Sequence, residues 1–214
     1  MTSPAEPNRE ARVGWLGGSF DPVHAGHLYV ARAALEHLDL DRVLFVPAAR
    51  PPHKLDKRQA PGDDRLALLR LACADEARFQ VHDLELRRDG PSYSIDTALA
   101  LHDELGADAQ LFYVIGADTL ADLASWYRIQ DLARLVTFAS VAREGTPLDT
   151  SALASVAGDA AAQAARDHLL ELPPHPASST AIREALLAGE HAEHLPPGVF
   201  DEIRRRGLYR SGAL

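Results

Sequence analysis

A single cysteine in 214 residues, Cys73, leaves no partner for an internal disulfide and excludes a multi-cysteine zinc site. Its setting, "RLALLRLACADEA", has helical periodicity, so a small buried apolar role is expected for it. Lysine is nearly as scarce: Lys54 and Lys57 are the only two, and every other basic side chain is arginine. No apolar run reaches the length that spans a bilayer. The N-terminal "MTSPAEPNREAR" lacks the basic-then-apolar layout of a secretory leader. The chain therefore reads as soluble and cytoplasmic, with no membrane partner. A net charge of −9 argues against nucleic acid as a partner, since that asks for a basic surface. Two common phosphate-binding signatures are also missing, the Gly-Lys-Ser/Thr of a Walker A loop and the G-x-G-x-x-G fingerprint.

What is present is an ordinary globular composition, 46% hydrophobic and 25% charged, in a chain long enough for a substantial core. Apolar runs alternate with amphipathic stretches. Strands are expected at 12–17, 42–47, 110–116, 136–143 and 168–173, with an extended segment at 79–86. Helices are expected at 27–38, 63–75, 94–105, 150–169, 178–189 and 197–207, with helical turns through 121–135. Ser92 or Ser94 would cap the third helix, and Gly189 and Gly207 would stop the last two. This alternation predicts an α/β fold with a mainly parallel sheet and helices on both faces. No linker divides the chain, so 1–214 is read as one domain, with 1–11 flexible and 178–214 a small helical C-terminal part.

Chemistry concentrates in "GGSFDPVHAGH", Gly17 to His27. A strand ends at two glycines, whose missing Cβ atoms let a ligand approach the main chain. A helix then opens near Gly26, and its free N–H groups and positive dipole end favour an anion. His24 and His27, three residues apart, fall where both rings reach one anion at the helix mouth. A metal pair is the competing reading, but no third ligand lies near in sequence. A second basic feature, "ARPPHKLDKRQAPG" (49–62), reads either as a solvated loop or as one closing over an anionic small molecule.

The stretch "GSFDPVHAGH" resembles the first motif of the nucleotidyltransferase superfamily, and "SSTAIRE" (178–184) resembles its second, S-S/T-x-x-R. Between them "RPPHK", "PSYSIDT", "GADTLADLASWYR" and "VAREG" follow the order of the nicotinate-nucleotide adenylyltransferase family, and "LPPGVFDEIRRRGLYR" is similar to its C-terminal end. The resemblance runs from Val13 to Arg210. It implies a Rossmann-like nucleotidyltransferase fold that joins nicotinate mononucleotide to ATP, giving nicotinate adenine dinucleotide and pyrophosphate. Mg²⁺ would arrive on the triphosphate, so no protein metal site is implied. A dual-specificity or amide-preferring relative, a pantetheine-phosphate adenylyltransferase, and a non-catalytic ATP sensor are the alternatives. A homo-oligomer is neither required nor excluded.

On the resemblance, His24, His27 and Arg183 stabilise the reacting phosphates. Gly17, Gly18, Ser19 and Phe20 line the floor through main-chain groups, and Ser178, Ser179 and Thr180 offer hydroxyls and a helix N-terminus. Gly116 and Asp118 would serve the adenosine half, although an Asp at that place could simply cap a helix. Trp126 would stack on the pyridine ring, with Thr97 and the main chain near Tyr127 meeting the nicotinate carboxylate. His53, Lys54 and Arg143 are the candidates for the mononucleotide phosphate. Ser19 and Ser94 stand where the family often has Thr, and Ala49, Arg50 and Ala177 depart from its usual residues.

Overall fold

The computed structural model describes residues 10–51, 59–106, 108–143, 145 and 147–210. Six parallel strands form one sheet in the order β3-β2-β1-β4-β5-β6. They are β1 (Arg12–Gly18), β2 (Arg42–Pro47), β3 (Phe79–Val81), β4 (Gln110–Gly116), β5 (Thr137–Arg143) and β6 (Leu170–Leu172). Between them run α1 (Ala25–His37), α2 (Gly62–Ala72), α3 (Ser94–Leu105), α4 (Ala117–Ala121), α5 (Ile129–Leu135), α6 (Ser151–Ala157) and α7 (Asp159–Asp167). Two more helices, α8 (Ser179–Leu187) and α9 (Val199–Arg206), close the chain. None of the described helices is long and apolar enough to cross a membrane.

Successive strand residues face opposite sides, and both sides are apolar. Leu16, Val43, Phe45, Phe112 and Val114 pack with α1, α2 and α9 in one core. Val13, Trp15, Leu44, Leu111, Tyr113 and Ile115 pack with α3, α5 and α6 in the other. Burial on both faces is why these strands read as unbroken apolar runs rather than alternating ones. Cys73 is buried in the first core, where desolvation pushes its thiol pKa up to about 12 and keeps it unreactive.

Several expected segments are shorter or broken. The extended stretch at 79–86 is a strand only over Phe79–Val81. The His82 N–H makes one last bond to the Phe45 carbonyl, after which the chain coils with Arg87 and Arg88 bonded back to Asp83 and Glu85. The helix expected over 150–169 splits at Gly158, whose φ of 88° a helix cannot accommodate. The turns at 121–135 resolve into α4, a 3₁₀ turn at Leu123–Ser125, and α5, which starts after left-handed Arg128. Neither serine caps α3: Tyr93 is its N-cap residue and no side chain caps it. Ser92 instead accepts from the backbone N–H groups of Ala49 and Arg50, and Ser94 pairs with the Tyr113 hydroxyl.

The chain reverses its direction of winding between β1 and β4, so a crevice opens beyond their carboxyl ends, at Gly17–Gly18 and Gly116. Open α/β sheets bind ligands at such switch points.

Candidate active site

The turn after β1 is built to be stiff. Phe20 sits at φ 46°, a left-handed conformation that is costly for a residue with a side chain. Its ring is 1% exposed, packed edge-on to His27 and tilted against Phe45, so burial holds the conformation. Phe20 therefore contributes a core ring and a shaped backbone, and its side chain faces away from solvent. Asp21 follows, 5% exposed, its Oδ1 accepting from the Ala60 N–H (3.1 Å) and the Tyr209 hydroxyl (2.7 Å). The C-terminal tail thus anchors a turn 188 positions earlier.

His24 is the N-cap residue of α1 and His27 lies in its first turn. Their rings stack with centroids 3.7 Å apart. The His24 N–H donates to Nδ1 of His27 (3.2 Å), so a neutral His27 carries its proton on Nε2. Gly26 leaves room for the ring: a Cβ would stand 3.1 Å from the His24 ring and 3.4 Å from Nδ1 of His175, so it would crowd both. His24 is 8% exposed and its Nδ1 has no hydrogen-bond partner among the described residues. Burial, reinforced by His175 and His194 nearby, lowers its pKa to about 4. At neutral pH it is therefore an uncharged imidazole.

The second motif docks onto this turn. Ser179 at the start of α8 donates to the Pro22 carbonyl (3.0 Å). Arg183, one turn on, donates from Nη1 to the Asp21 carbonyl (2.6 Å) and from Nη2 to the Thr180 hydroxyl (3.3 Å). Its side chain remains 29% exposed. Ser178 is the exposed N-cap residue and leaves its hydroxyl free of any capping bond. Residues 21–27 and 178–183, far apart in sequence, are thus one hydrogen-bonded unit with two helix N-termini.

At the end of β1 lies a cavity of about 390 Å³, lined by neither histidine nor Arg183. Gly17, Gly18 and Ser19 form its floor, and Tyr93, Tyr113, Trp126 and Tyr127 its aromatic wall. Trp126 is half-buried, Tyr127 is exposed, and the Tyr127 ring packs 4.6 Å from Tyr93. Thr97 does not reach this cavity. It is fully buried, donates to Oε1 of Glu85 (2.8 Å) and accepts from Arg88 (3.2 Å). The α3 helix turns its N-terminus, not its first buried turn, to the space, which is why Thr97 falls behind the wall. Glu85 is the lining residue in its place.

A second cleft of about 370 Å³ is lined by Gly116, Asp118, Tyr29, Val141, Pro174 and His175 among others. Asp118 is exposed in the first turn of α4, with no cap bond. The backbone of Arg143 ends β5; its side chain, together with His53 and Lys54, lies outside the described residues. Among the described residues no cluster of His, Cys, Asp or Glu is arranged to hold a metal.

Asp21, Arg65, Glu85, His175 and Tyr209 were not anticipated. Arg65 is 2% exposed and gives its N–H groups to the carbonyls of Ser19 (2.6 Å), Ala48 (2.9 Å) and Ala60 (2.9 Å). It fixes three loops at the crevice. Only one of these five had a readable signal: Asp21 precedes proline inside the Gly17–His27 stretch. The others are polar residues whose burial is decided by contacts distant in sequence.

A family model described as cytidylyltransferase-like matches residues 15–185. A Synechococcus sp. (strain JA-3-3Ab) protein is 42% identical over 97% of this chain and 98% of its own length. A Solibacter usitatus protein is 44% identical over 91% and 97% respectively. Both carry the name "Probable nicotinate-nucleotide adenylyltransferase". Among solved structures, Plasmodium falciparum nicotinic acid mononucleotide adenylyltransferase complexed with NaAD superposes with a TM-score of 0.73 at 19% identity. That match covers 94% of this chain and 98% of the other, and is a likeness of fold.

Proposed function

This chain belongs to the cytidylyltransferase-like family, and from that membership we propose that it transfers the adenylyl group of ATP to nicotinate mononucleotide. The products are nicotinate adenine dinucleotide and pyrophosphate, a step of NAD biosynthesis. The reading follows the close relatives named above. It assigns the enzyme to the cytoplasm, where its co-substrate ATP is.

The nucleophile is a phosphate oxygen of the mononucleotide, already largely ionised near neutral pH. It attacks the α-phosphorus of ATP in line; the bond to the bridging oxygen breaks, and pyrophosphate leaves with that electron pair. No proton has to be removed, so no general base is needed. What the protein must supply is alignment of two mutually repelling anions and stabilisation of the charge that builds on the phosphates. His27 offers Nε2–H, neutral His24 offers its outer nitrogen, and Arg183 offers a permanent cation. The N-termini of α1 and α8 add two positive dipole ends. Magnesium enters as part of the substrate, MgATP, held by phosphate oxygens and water.

In this reading Gly116 and Asp118 take the adenosine, from the cleft on their side. The mononucleotide enters the aromatic cavity, with Trp126 against its ring and Tyr127 near its carboxylate, and His53, Lys54 and Arg143 remain the candidates to pair with its phosphate. Thr97 acts at one remove, by holding Glu85.

The observation that carries the proposal is the bonding of the two motifs to each other: Arg183 on the Asp21 carbonyl and Ser179 on the Pro22 carbonyl. These bonds tie Arg183 to the turn that leads into His24 and His27, and on this reading the three side chains share the phosphates. The test is pyrophosphate release from ATP and Mg²⁺ with the acid or the amide mononucleotide. Turnover with a higher kcat/KM for the acid is expected; absence of pyrophosphate with either would refute it.

A further inference from the structure

Among the described residues Glu85 is the one acidic side chain lining the aromatic cavity, and it is 5% exposed. Its Oε1 accepts from Thr97, whereas Oε2 has no hydrogen-bond partner among the described residues. The two arginines that face it are spent elsewhere. Arg65, from α2, is bonded to three carbonyls. Arg88, from the same turn, is bonded to the Thr97 hydroxyl and the Tyr93 carbonyl. Neither forms an ion pair with Glu85. A buried carboxylate that hydroxyls solvate but no contacting cation balances costs free energy to keep ionised, so a carboxylate edging a ligand cavity calls for a ligand that compensates it.

The mononucleotide of the proposed function has such a group. Its pyridine nitrogen is bonded to ribose, so the ring is a pyridinium and carries a positive charge. Aromatic faces and a carboxylate together are what recognises a flat cation. A wall of Tyr93, Trp126 and Tyr127 alone would favour a charged ring only modestly, through its π faces. We propose that the carboxylate of Glu85 is the counter-charge through which the cavity recognises the positive ring of the mononucleotide. This rests on the proposed function and deepens it: the ring's charge is read, in addition to its shape and its carboxylate.

The electrostatics of the site agree. Burial raises the Glu85 pKa, opposed by hydroxyls of Ser92 and Thr97 and by the charges of Arg88 and Arg65. Tyr113, facing it from β4, is kept neutral because burial raises its own pKa. A bound pyridinium would draw the carboxyl back toward its ionised form.

The probes are nicotinate mononucleotide and its carbon isostere, the 3-carboxyphenyl C-riboside 5′-phosphate. The isostere keeps carboxylate, ribose and phosphate but has an uncharged ring. Calorimetry on the wild-type protein should show the pyridinium bound roughly tenfold or more tighter than the isostere. In Glu85→Gln, which keeps an acceptor for Thr97, that ratio should fall about fivefold or more, leaving only the preference of the aromatic wall. An unchanged ratio in the variant would overturn the proposal. Should the variant fail to fold, the wild-type protein decides. Its ratio should decline as pH is lowered and protonation of Glu85, favoured by burial, removes the counter-charge; a ratio that stays flat down to the acid limit of the folded protein overturns the proposal. Wild-type protein that makes no pyrophosphate from ATP and the mononucleotide would overturn this and the proposed function together. Normal wild-type turnover with equal ratios in both proteins would overturn the role of Glu85 alone.

Discussion

Replacing His24 with Asn should make the fold more tolerant of acid, because the buried imidazole penalises folding once it is asked to take a proton. In the unfolded chain His24 titrates at its ordinary value of 6.5; in the folded protein it waits until about 4. Between those values the unfolded state holds more protons, so stability falls as pH falls through that window. The gap spans about 2.5 pH units, and at 1.36 kcal/mol per unit it amounts to about 3 kcal/mol. Against a typical total of about 5–15 kcal/mol, that is a large fraction. Asn suits the comparison because it is a favoured N-cap residue with no titration of its own. Any cost of losing the ring is the same at every pH and cancels in the difference. Urea unfolding of both proteins at pH 7.5 and pH 4.5 measures it. The wild type should lose on the order of 2–3 kcal/mol more than the variant between the two conditions. Parallel losses would mean that His24 is not a buried neutral imidazole, and the reasoning would fail.

Three further outcomes are expected. His27→Ala should lower kcat by about 10²–10³ or more, the size of losing one transition-state donor, while circular dichroism stays native; near-normal turnover would remove it from the phosphate site. Trp126→Ala should raise KM for the mononucleotide more than KM for ATP, and equal changes would reassign the ring to packing. Tyr209→Phe removes a 2.7 Å bond to the buried carboxylate of Asp21. It should cost about 1–3 kcal/mol in urea unfolding; no loss would show that the tail does not hold the turn.

The parallel sheet follows from strand–helix alternation once the apolar runs at 42–47 and 110–116 are recognised, whereas the strand order is seen only in the structure. Those runs are readable because both faces of the sheet are covered. The first core turn of "GGSFDPVHAGH" is readable too, since two glycines, a proline and two spaced histidines have few other uses together. Phe79–Val81 escaped at its far end because an edge strand stops where its neighbour stops pairing, a tertiary event. Thr97 lies behind the cavity wall for a related reason: its spacing puts it in the helix whose start lines the cavity, but only its contact with Glu85 shows that it is buried. Glu85 and Arg65 look like surface charges in "LELRR" and "DDRLA". Their burial depends on Thr97, Ser19 and Ala48, contacts that no local pattern contains. His175 is hidden likewise, since only packing brings it to Gly26.

The account stands on one placement, a triphosphate gripped between the mouth of α1 and the start of α8. A crystal structure of the complex with α,β-methylene ATP tests it directly. The phosphates should lie within hydrogen-bond reach of the His27 ring and the Arg183 guanidinium, over the Gly17–Gly18 turn. Phosphates bound elsewhere, with both of those side chains free of them, would contradict it.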